Sequence, residues 1–397
     1  MSRSAPTKLW VVSYVFFPVW AGPAERFLRY SPGLRQRDVD MTLVTCMRPG
    51  QPVQERKNGT LVERIGAQKK NVHGINRFYL DVARHLLKAK DKPDVIVFLS
   101  VTPVLFPLLL ILKGMGIRTI FVHSMASLTD YSGPLSFKER IIKKLKFSVY
   151  NAFDSLVCST KALSGDLVQL GLPARKIHVI PNGVLLERFK PVETPQEKAA
   201  IRKDLDLPHD GPIALFAGLR TRRKGVLELV RAWQEYKRNS GAGWLVLVGQ
   251  DADRNVEFDG DFFEAWDHCR NSIVASDQII ILPPSKEIEL YFKASDLFVF
   301  LSNLEGMPNV IPESMATGLP VLTTKFKGFS DDFGREGIEL VTVKRDPIAI
   351  SRSIQSLLSD SVQLEGLSIN GRKWVEAHQS IDVVLDSYSD LFKAAKL

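Results

Sequence analysis

Short apolar runs recur along the whole chain, each followed by a segment of helical period. This alternation limits the open folds more than any other feature. In the first half the runs are Leu9–Phe17, Met41–Thr45, Val95–Leu99, Arg118–His123 and Ser155–Cys158, with helical period near Ala24–Gly33, Phe78–Lys88, Val104–Lys113 and Phe137–Phe153. The second half repeats the scheme. Strand-like runs fall at Ile213–Ala217, Trp244–Val248, Ile279–Leu282, Leu297–Leu301 and Val321–Thr323, and helical ones at Val226–Arg238, Phe262–Ala275, Ile288–Ala294, Asn309–Thr317, Pro347–Leu358 and Ile369–Ala377. Runs without an alternating polar face belong in strands buried on both sides, and strand–helix repeats build a mostly parallel sheet wrapped by helices. The expected class is α/β, and 397 residues suffice for two doubly wound domains.

Charge separates the two halves. Residues 1–190 carry 29 lysines and arginines against 13 acids, a net of +16; residues 191–397 carry 24 against 31, a net of −7. A basic half suits an anionic membrane surface, a phosphate-bearing acceptor or nucleic acid. Neither a zinc-finger pattern nor an RNA-binding aromatic signature is present, so no nucleic-acid partner is expected. Cys46, Cys158 and Cys269 are far apart and odd in number, which predicts reduced thiols in a cytosol-like compartment and no structural zinc. Arg3 and Lys8 before Leu9–Phe17 loosely mimic a signal peptide, but no clean small-residue cleavage site follows, so the run reads as a first strand. Val95 to Leu112 is nearly long enough to span a membrane; Pro103 and Pro107 interrupt it, and strand–turn–helix is the better reading. Phe137–Phe153 places Lys138, Arg140, Lys143, Lys144 and Lys146 among apolar residues, which fits either a solvated basic face or docking on anionic lipid.

Two stretches carry the chemistry. The first is Glu305-Gly306-Met307-Pro308-Asn309-Val310-Ile311-Pro312-Glu313, continuing through Ala316-Thr317-Gly318-Leu319-Pro320-Val321. Pro312 has no N–H and belongs in a first helical turn, which makes Asn309 the expected N-cap and Gly318 the stop. Glu305 then ends a strand, Glu313 sits one turn into a helix, and the N–H groups of Val310 and Ile311 can face an anion. The second stretch is Phe216-Ala217-Gly218-Leu219-Arg220-Thr221-Arg222-Arg223-Lys224-Gly225, a strand end with four cations and glycines suited to a diphosphate. No Gly-x-Gly-x-x-Gly or Gly-Lys-Ser/Thr loop accompanies either half, so dinucleotide and P-loop chemistry lack their cradle.

The paired glutamates eight apart, with Gly-x-Pro between and Ala-x-Gly-x-Pro-Val after, resemble the signature of retaining glycosyltransferases of family 4. That resemblance implies the GT-B fold, two Rossmann-like doubly wound domains facing a cleft. Pro181-Asn182-Gly183 resembles the turn that closes the family's first domain, and Phe189–Pro195 reads as the linker. The expected domains are therefore 1–188, an acceptor side with a final helix near 378–397 packed back on it, and 189–377, a donor side.

The resemblance also assigns roles. Lys224 and Gly225 match the family's diphosphate loop, Gly-Arg-Leu-x-x-x-Lys-Gly. Leu219 stands where its arginine is expected, so Arg220, Arg222 or Arg223 must replace it, with Arg220 the nearest. Glu313 is implied to take the ribose hydroxyls, Glu305 the transferred sugar, with Gly306, Met307, Pro308, Asn309 and Val310 beside it, and Leu282 and its neighbours the base. His123 resembles the family's cleft histidine, with a satisfied structural histidine as the other reading. Gly22 and Arg26 resemble an acceptor loop in which Pro23 replaces a second glycine. After Val321, relatives show Gly-Gly-x-x-Glu where this chain has Lys327-Gly328-Phe329-Ser330-Asp331. The expectation is a metal-independent retaining transferase, using no cofactor beyond a nucleoside-diphosphate sugar. Its acceptor would be a lipid-linked or growing polysaccharide at the cytoplasmic membrane face. A nucleotide-sugar 2-epimerase or a non-catalytic sugar-nucleotide-binding protein of the same fold are the alternatives.

Overall fold

A computed structural model of the protein describes residues 5–17, 22–66, 72–123, 137–252 and 260–396. The chain forms two compact units, Met1–Pro181 with Ile381–Leu397, and Asn182–Ser380.

The first unit runs β1 (Thr7–Ser13), α1 (Gly22–Gln36), β2 (Val39–Cys46), β3 (Gln54–Lys57), β4 (Thr60–Ile65), α2 (Val72–Lys88), β5 (Val95–Phe98), α3 (Leu105–Gly114), β6 (Arg118–His123), α4 (Phe137–Ala152), β7 (Ser155–Cys158), α5 (Lys161–Gln169) and β8 (Ile177–Val179). The second runs α6 (Pro195–Asp204), β9 (Ile213–Ala217), α7 (Val226–Arg238), β10 (Trp244–Val248), α8 (Gly260–Asn271), β11 (Ile279–Leu282), α9 (Ile288–Ala294), β12 (Leu297–Phe300), α10 (Val310–Ala316), β13 (Val321–Thr324), β14 (Val341–Val343), α11 (Pro347–Ser359) and α12 (Ser361–His378), after which α13 (Ile381–Lys396) returns to the first.

Among the described residues the first sheet has the order β3-β4-β2-β1-β5-β6-β7-β8 and the second β11-β10-β9-β12-β13-β14. All neighbouring strands are parallel except β3 and β4. Each sheet reverses its winding beside a central strand, β1 between β2 and β5, β9 between β10 and β12. The carboxyl ends of strands at such a reversal are where open α/β sheets hold ligands. The strands are apolar on both faces because both faces are covered: β9 and β12 are buried throughout. In the first unit α1 and α13 pack together through Phe27, Tyr30 and Tyr388, whose rings meet at 5.4 to 6.1 Å. The Arg37 guanidinium ties α13 down through Asp382 and Asp386, at 3.0 and 2.6 Å.

Several expectations are corrected. β1 ends at Ser13, where its hydroxyl donates to the Val15 carbonyl (2.7 Å) and the chain bends. The β3–β4 hairpin was not expected; Asn58 and Gly59, at φ 49° and 74°, make its two-residue turn. The unit boundary falls after Pro181, not after Arg188. Val184 and Phe189 are buried in the second core, and the Val184 N–H donates to the Gln379 carbonyl (2.8 Å). Phe189–Pro195 is therefore part of the second unit and not a linker between units. Val95–Leu112 divides into β5 and α3, and no helix among the described residues is long and apolar enough to cross a membrane. The three cysteines are free and buried.

Candidate active site

The loop after β9 and the loop after β12 meet at the reversal of the second sheet. Gly218 leaves β9 by donating its N–H to the Val248 carbonyl (3.0 Å). Residues 221–224 then fold into a tight turn, the Lys224 N–H reaching the Thr221 carbonyl and hydroxyl, both at 3.2 Å. Gly225 begins α7 in the left-handed region at φ 73°, and a Cβ there would lie 2.5 Å from the Leu301 carbonyl oxygen. Only glycine allows this turn to sit against the end of β12.

Glu305 is the centre of the arrangement. Its side chain is 12% exposed, and a single oxygen, Oε1, accepts from Arg223 (2.5 Å), Lys224 (3.3 Å) and the Ser302 hydroxyl (2.8 Å). The Lys224 ammonium also lies 4.8 Å from the Phe300 ring centre. Burial pushes its pKa below the ordinary lysine value and Arg223 acts the same way, while Glu305 opposes them. Two cations and a hydroxyl thus converge on one oxygen of an enclosed carboxylate, which satisfies its acceptor capacity on that side. The backbone beneath is braced from the loop after β13. The Glu305 N–H donates to the Lys327 carbonyl (3.1 Å), and at Gly328 any Cβ would collide with the Glu305 carbonyl.

Arg220 does not stand with this group. Its side chain is buried, Nε donating to Asp251 Oδ1 (2.6 Å) and Nη1 to the Leu282 carbonyl (3.2 Å). Burial raises the Asp251 carboxyl, but Arg220, the Trp266 N–H and Arg270 together outweigh it and hold the pKa low. Arg220 is thus consumed in the loop's wall, and the arginine beside Lys224 is Arg223. The Leu282 carbonyl accepts a second bond from the Gly249 N–H (3.1 Å), so a base at that edge would meet an oxygen already engaged twice.

The helix after Glu305 also departs from expectation. α10 spans Val310–Ala316, and Asn309 precedes it without a side-chain cap. The Asn309 Oδ1 instead accepts from the Asn182 side chain at 2.6 Å, and the Asn182 N–H points to the Met307 sulfur at 3.2 Å. The Ile311 N–H is engaged with the Pro308 carbonyl at 3.3 Å, which leaves a weaker anion-facing edge than the sequence predicts. Gly318 does end the helix, at φ 71°. Pro308 is buried, whereas Gly306, Met307, Val310 and Glu313 are half-buried around it. Glu313 is close enough to Arg188 to raise its pKa, behind Glu289.

Two residues not singled out by sequence complete the loop. Ser302, fully buried at the end of β12, also donates to the Arg223 and Leu304 carbonyls, both at 3.3 Å. Arg345 precedes α11 and donates to the Arg222 and Arg223 carbonyls, while pairing with Glu228 at 3.0 Å. A serine just past a strand and an arginine before a distant helix carry no sequence signal for this role.

In the first unit, His123 ends β6 and is 2% exposed; burial drops its pKa to about 4. Its ring centre lies 6.0 Å from that of Phe121. Gly22 opens α1 and is exposed, and Arg26 is half-buried with its guanidinium 6.0 Å from the Phe27 ring. Residues 18–21 of the expected acceptor loop lie outside the described residues.

Comparison with known proteins bears on both units. A model described as glycosyl transferases group 1 matches residues 197–374, and one described as glycosyltransferase family 4 matches residues 20–188. The D-inositol 3-phosphate glycosyltransferase of Xylanimonas cellulosilytica is 29% identical over 257 residues, 62% of this chain and 59% of that protein. The lipopolysaccharide core biosynthesis glycosyltransferase LpsE of Rhizobium meliloti is 25% identical over 373 residues, 93% of this chain and 95% of that one. The sucrose-phosphate synthase of Thermosynechococcus elongatus superposes with a TM-score of 0.78 at 18% identity, over 98% of both chains. The Anabaena HepE structure in complex with UDP-glucose gives 0.73 at 15%, over 98% and 99%. The fold is GT-B, and with a family model matched on each of its two units the chain belongs to glycosyltransferase family 4.

Proposed function

We propose that the protein transfers a sugar, with retention, from a nucleoside-diphosphate sugar to a glycan or lipid-linked acceptor. The supporting observation is the convergence of Arg223, Lys224 and Glu305 at the carboxyl ends of β9 and β12. Departure of the nucleotide develops negative charge on the diphosphate, and fixed cations lower the barrier most where that charge appears. Lys224 and Arg223 serve the diphosphate, with Gly218 and Gly225 letting the backbone approach. Glu305 and the Gly306–Asn309 backbone serve the sugar, Glu313 the ribose, and the Leu282 edge the base. Glu305 and a diphosphate are rival anions for the same cations, so donor binding exchanges one for the other and turns the carboxylate toward sugar hydroxyls. The leaving phosphate assists deprotonation of the acceptor, and no protein nucleophile or metal is invoked.

The acceptor falls to the basic first unit, through Gly22, Arg26 and His123, at the cytoplasmic face of a membrane. Similarity to a lipopolysaccharide core biosynthesis glycosyltransferase and a D-inositol 3-phosphate glycosyltransferase supports an anionic or lipid-linked acceptor. A panel of nucleotide sugars screened by thermal shift, followed by NMR of the product anomer, tests the reading. Inverted product, or loss of activity in chelator, sinks the retaining, metal-free form of it. Epimer formed from donor alone favours the epimerase.

A further inference from the structure

We propose, on the sugar-nucleotide reading above, that Arg188 is the positioning residue for the nucleoside end of the donor, fixing the loop after β11 beside Glu313. That loop, between β11 and α9, carries Pro283 and Pro284, which have no N–H to tie it down. It is held near its ends instead. At its start the Leu282 carbonyl accepts from Arg220 (3.2 Å) and from the Gly249 N–H (3.1 Å). Toward its end the Lys286 carbonyl accepts from Arg188 Nη2 (2.5 Å), and the same nitrogen donates to Glu289, in the first turn of α9, at 2.7 Å. Two arginines thus stake the backbone at the edge given to the base. Arg220 is buried in the wall, whereas Arg188 keeps 40% of its side chain exposed.

Arg188 is itself placed from the core. Its N–H and that of Phe189 donate to the Leu185 carbonyl, at 3.1 and 2.9 Å, and Val184 and Phe189 are buried. The Phe189 ring centre lies 6.2 Å from that of Phe292, so the turn packs on the same helix, α9, whose first acid Arg188 pairs with. An exposed arginine–glutamate pair by itself contributes little. Here the bond to Glu289, and then the charges of Glu289, Glu313 and Glu287, favour the guanidinium against burial, and Glu313 is the carboxylate given the ribose. One side chain therefore links the acid that takes the ribose to the backbone that meets the base. A base read by backbone groups binds best where that backbone is ordered beforehand, and a charge-assisted hydrogen bond to a loop carbonyl supplies the order.

Calorimetric titration of the full chain with uridine, guanosine and adenosine diphosphates tests it, with inorganic pyrophosphate as the probe that lacks a nucleoside. Arg188→Met should weaken the nucleoside diphosphate the parent prefers by about tenfold and leave pyrophosphate within about twofold. In turnover it should raise the donor KM about tenfold and change kcat by less than about twofold. Arg188→Lys, which keeps the charge without the fork, should recover part of the affinity, and Glu289→Gln should lose about threefold in the same sense. Thermal melts show that each variant is folded; if Arg188→Met does not fold, the other two carry the comparison. Nucleoside diphosphate bound by the variants as tightly as by the parent, an equal loss of pyrophosphate, or a loss in kcat alone overturns the role of Arg188 and leaves the nucleotide reading intact. A parent that binds none of the three diphosphates removes that reading, and the role of Arg188 with it.

Discussion

Glu305 and His123 occupy comparable places, each at or just beyond the carboxyl end of a strand in a parallel sheet. Their surroundings differ completely. Glu305 is enclosed by two cations and a buried hydroxyl, whereas His123 lies beside an aromatic ring with burial as the cause of its shift. The first arrangement spends desolvation on holding charge in place; the second removes charge from the pH range of the cell. A sheet edge by itself therefore does not make a charged site. The loops arriving from elsewhere decide which kind of group it holds.

The largest expected effect lies on the charged side. Lys224→Ala or Glu305→Ala lowers sugar transfer by about a hundredfold or more, with thermal unfolding still cooperative. Unchanged turnover in both would erase the distinction between the two edges. On the neutral side, His123 has a folded pKa of about 4 against 6.5 for the free group. The unfolded chain binds more protons between those values, so stability is complete above pH 6.5 and falls as pH drops toward 4. About 2 kcal/mol is lost by roughly pH 5, measured by urea denaturation. His123→Asn should flatten that part of the profile; an unaltered slope would show the imidazole is not its source.

Arg345 sharpens the contrast because it reaches the site through the loop carbonyls of Arg222 and Arg223, held in place by Glu228. Arg345→Gln should lower kcat about tenfold with little change in KM, and Arg345→Lys should recover part of it. A loss confined to melting temperature would make it a structural residue alone. The smallest effect is also the most specific. Glu305→Gln removes the rival anion, so a nucleoside diphosphate without sugar should bind about fivefold tighter by calorimetry while transfer falls. Weaker binding would mean the carboxylate does not compete for Arg223 and Lys224.

Much of this molecule can be read without coordinates where local physics speaks. The apolar strands, the helix-stopping Gly318 and the Lys224-Gly225 and Glu305 motifs follow from residue type and short-range spacing. The Asn58-Gly59 turn was equally local, a two-residue hairpin signal between polar strands that lacked a strong apolar pattern. Other features had no local trace. Asn309 looked like a cap, yet a residue 127 positions away takes its side chain. Val184 and Phe189 looked like part of a closing turn and a linker, yet they fill the second core.

By itself the sequence determined the α/β alternation, the opposite charge of the two halves, and which residue types could meet a sugar nucleotide. Only tertiary structure decided which arginine stands with Lys224. Arg220 and Arg223 have the same chemistry, and the choice rests on Asp251 and Glu305, which are contributed by different loops and brought within reach only when the sheet closes. Periodicity and turn chemistry act over a few residues, but an ion pair is selected by whatever partner folding delivers, and that is a property of the assembled sheet.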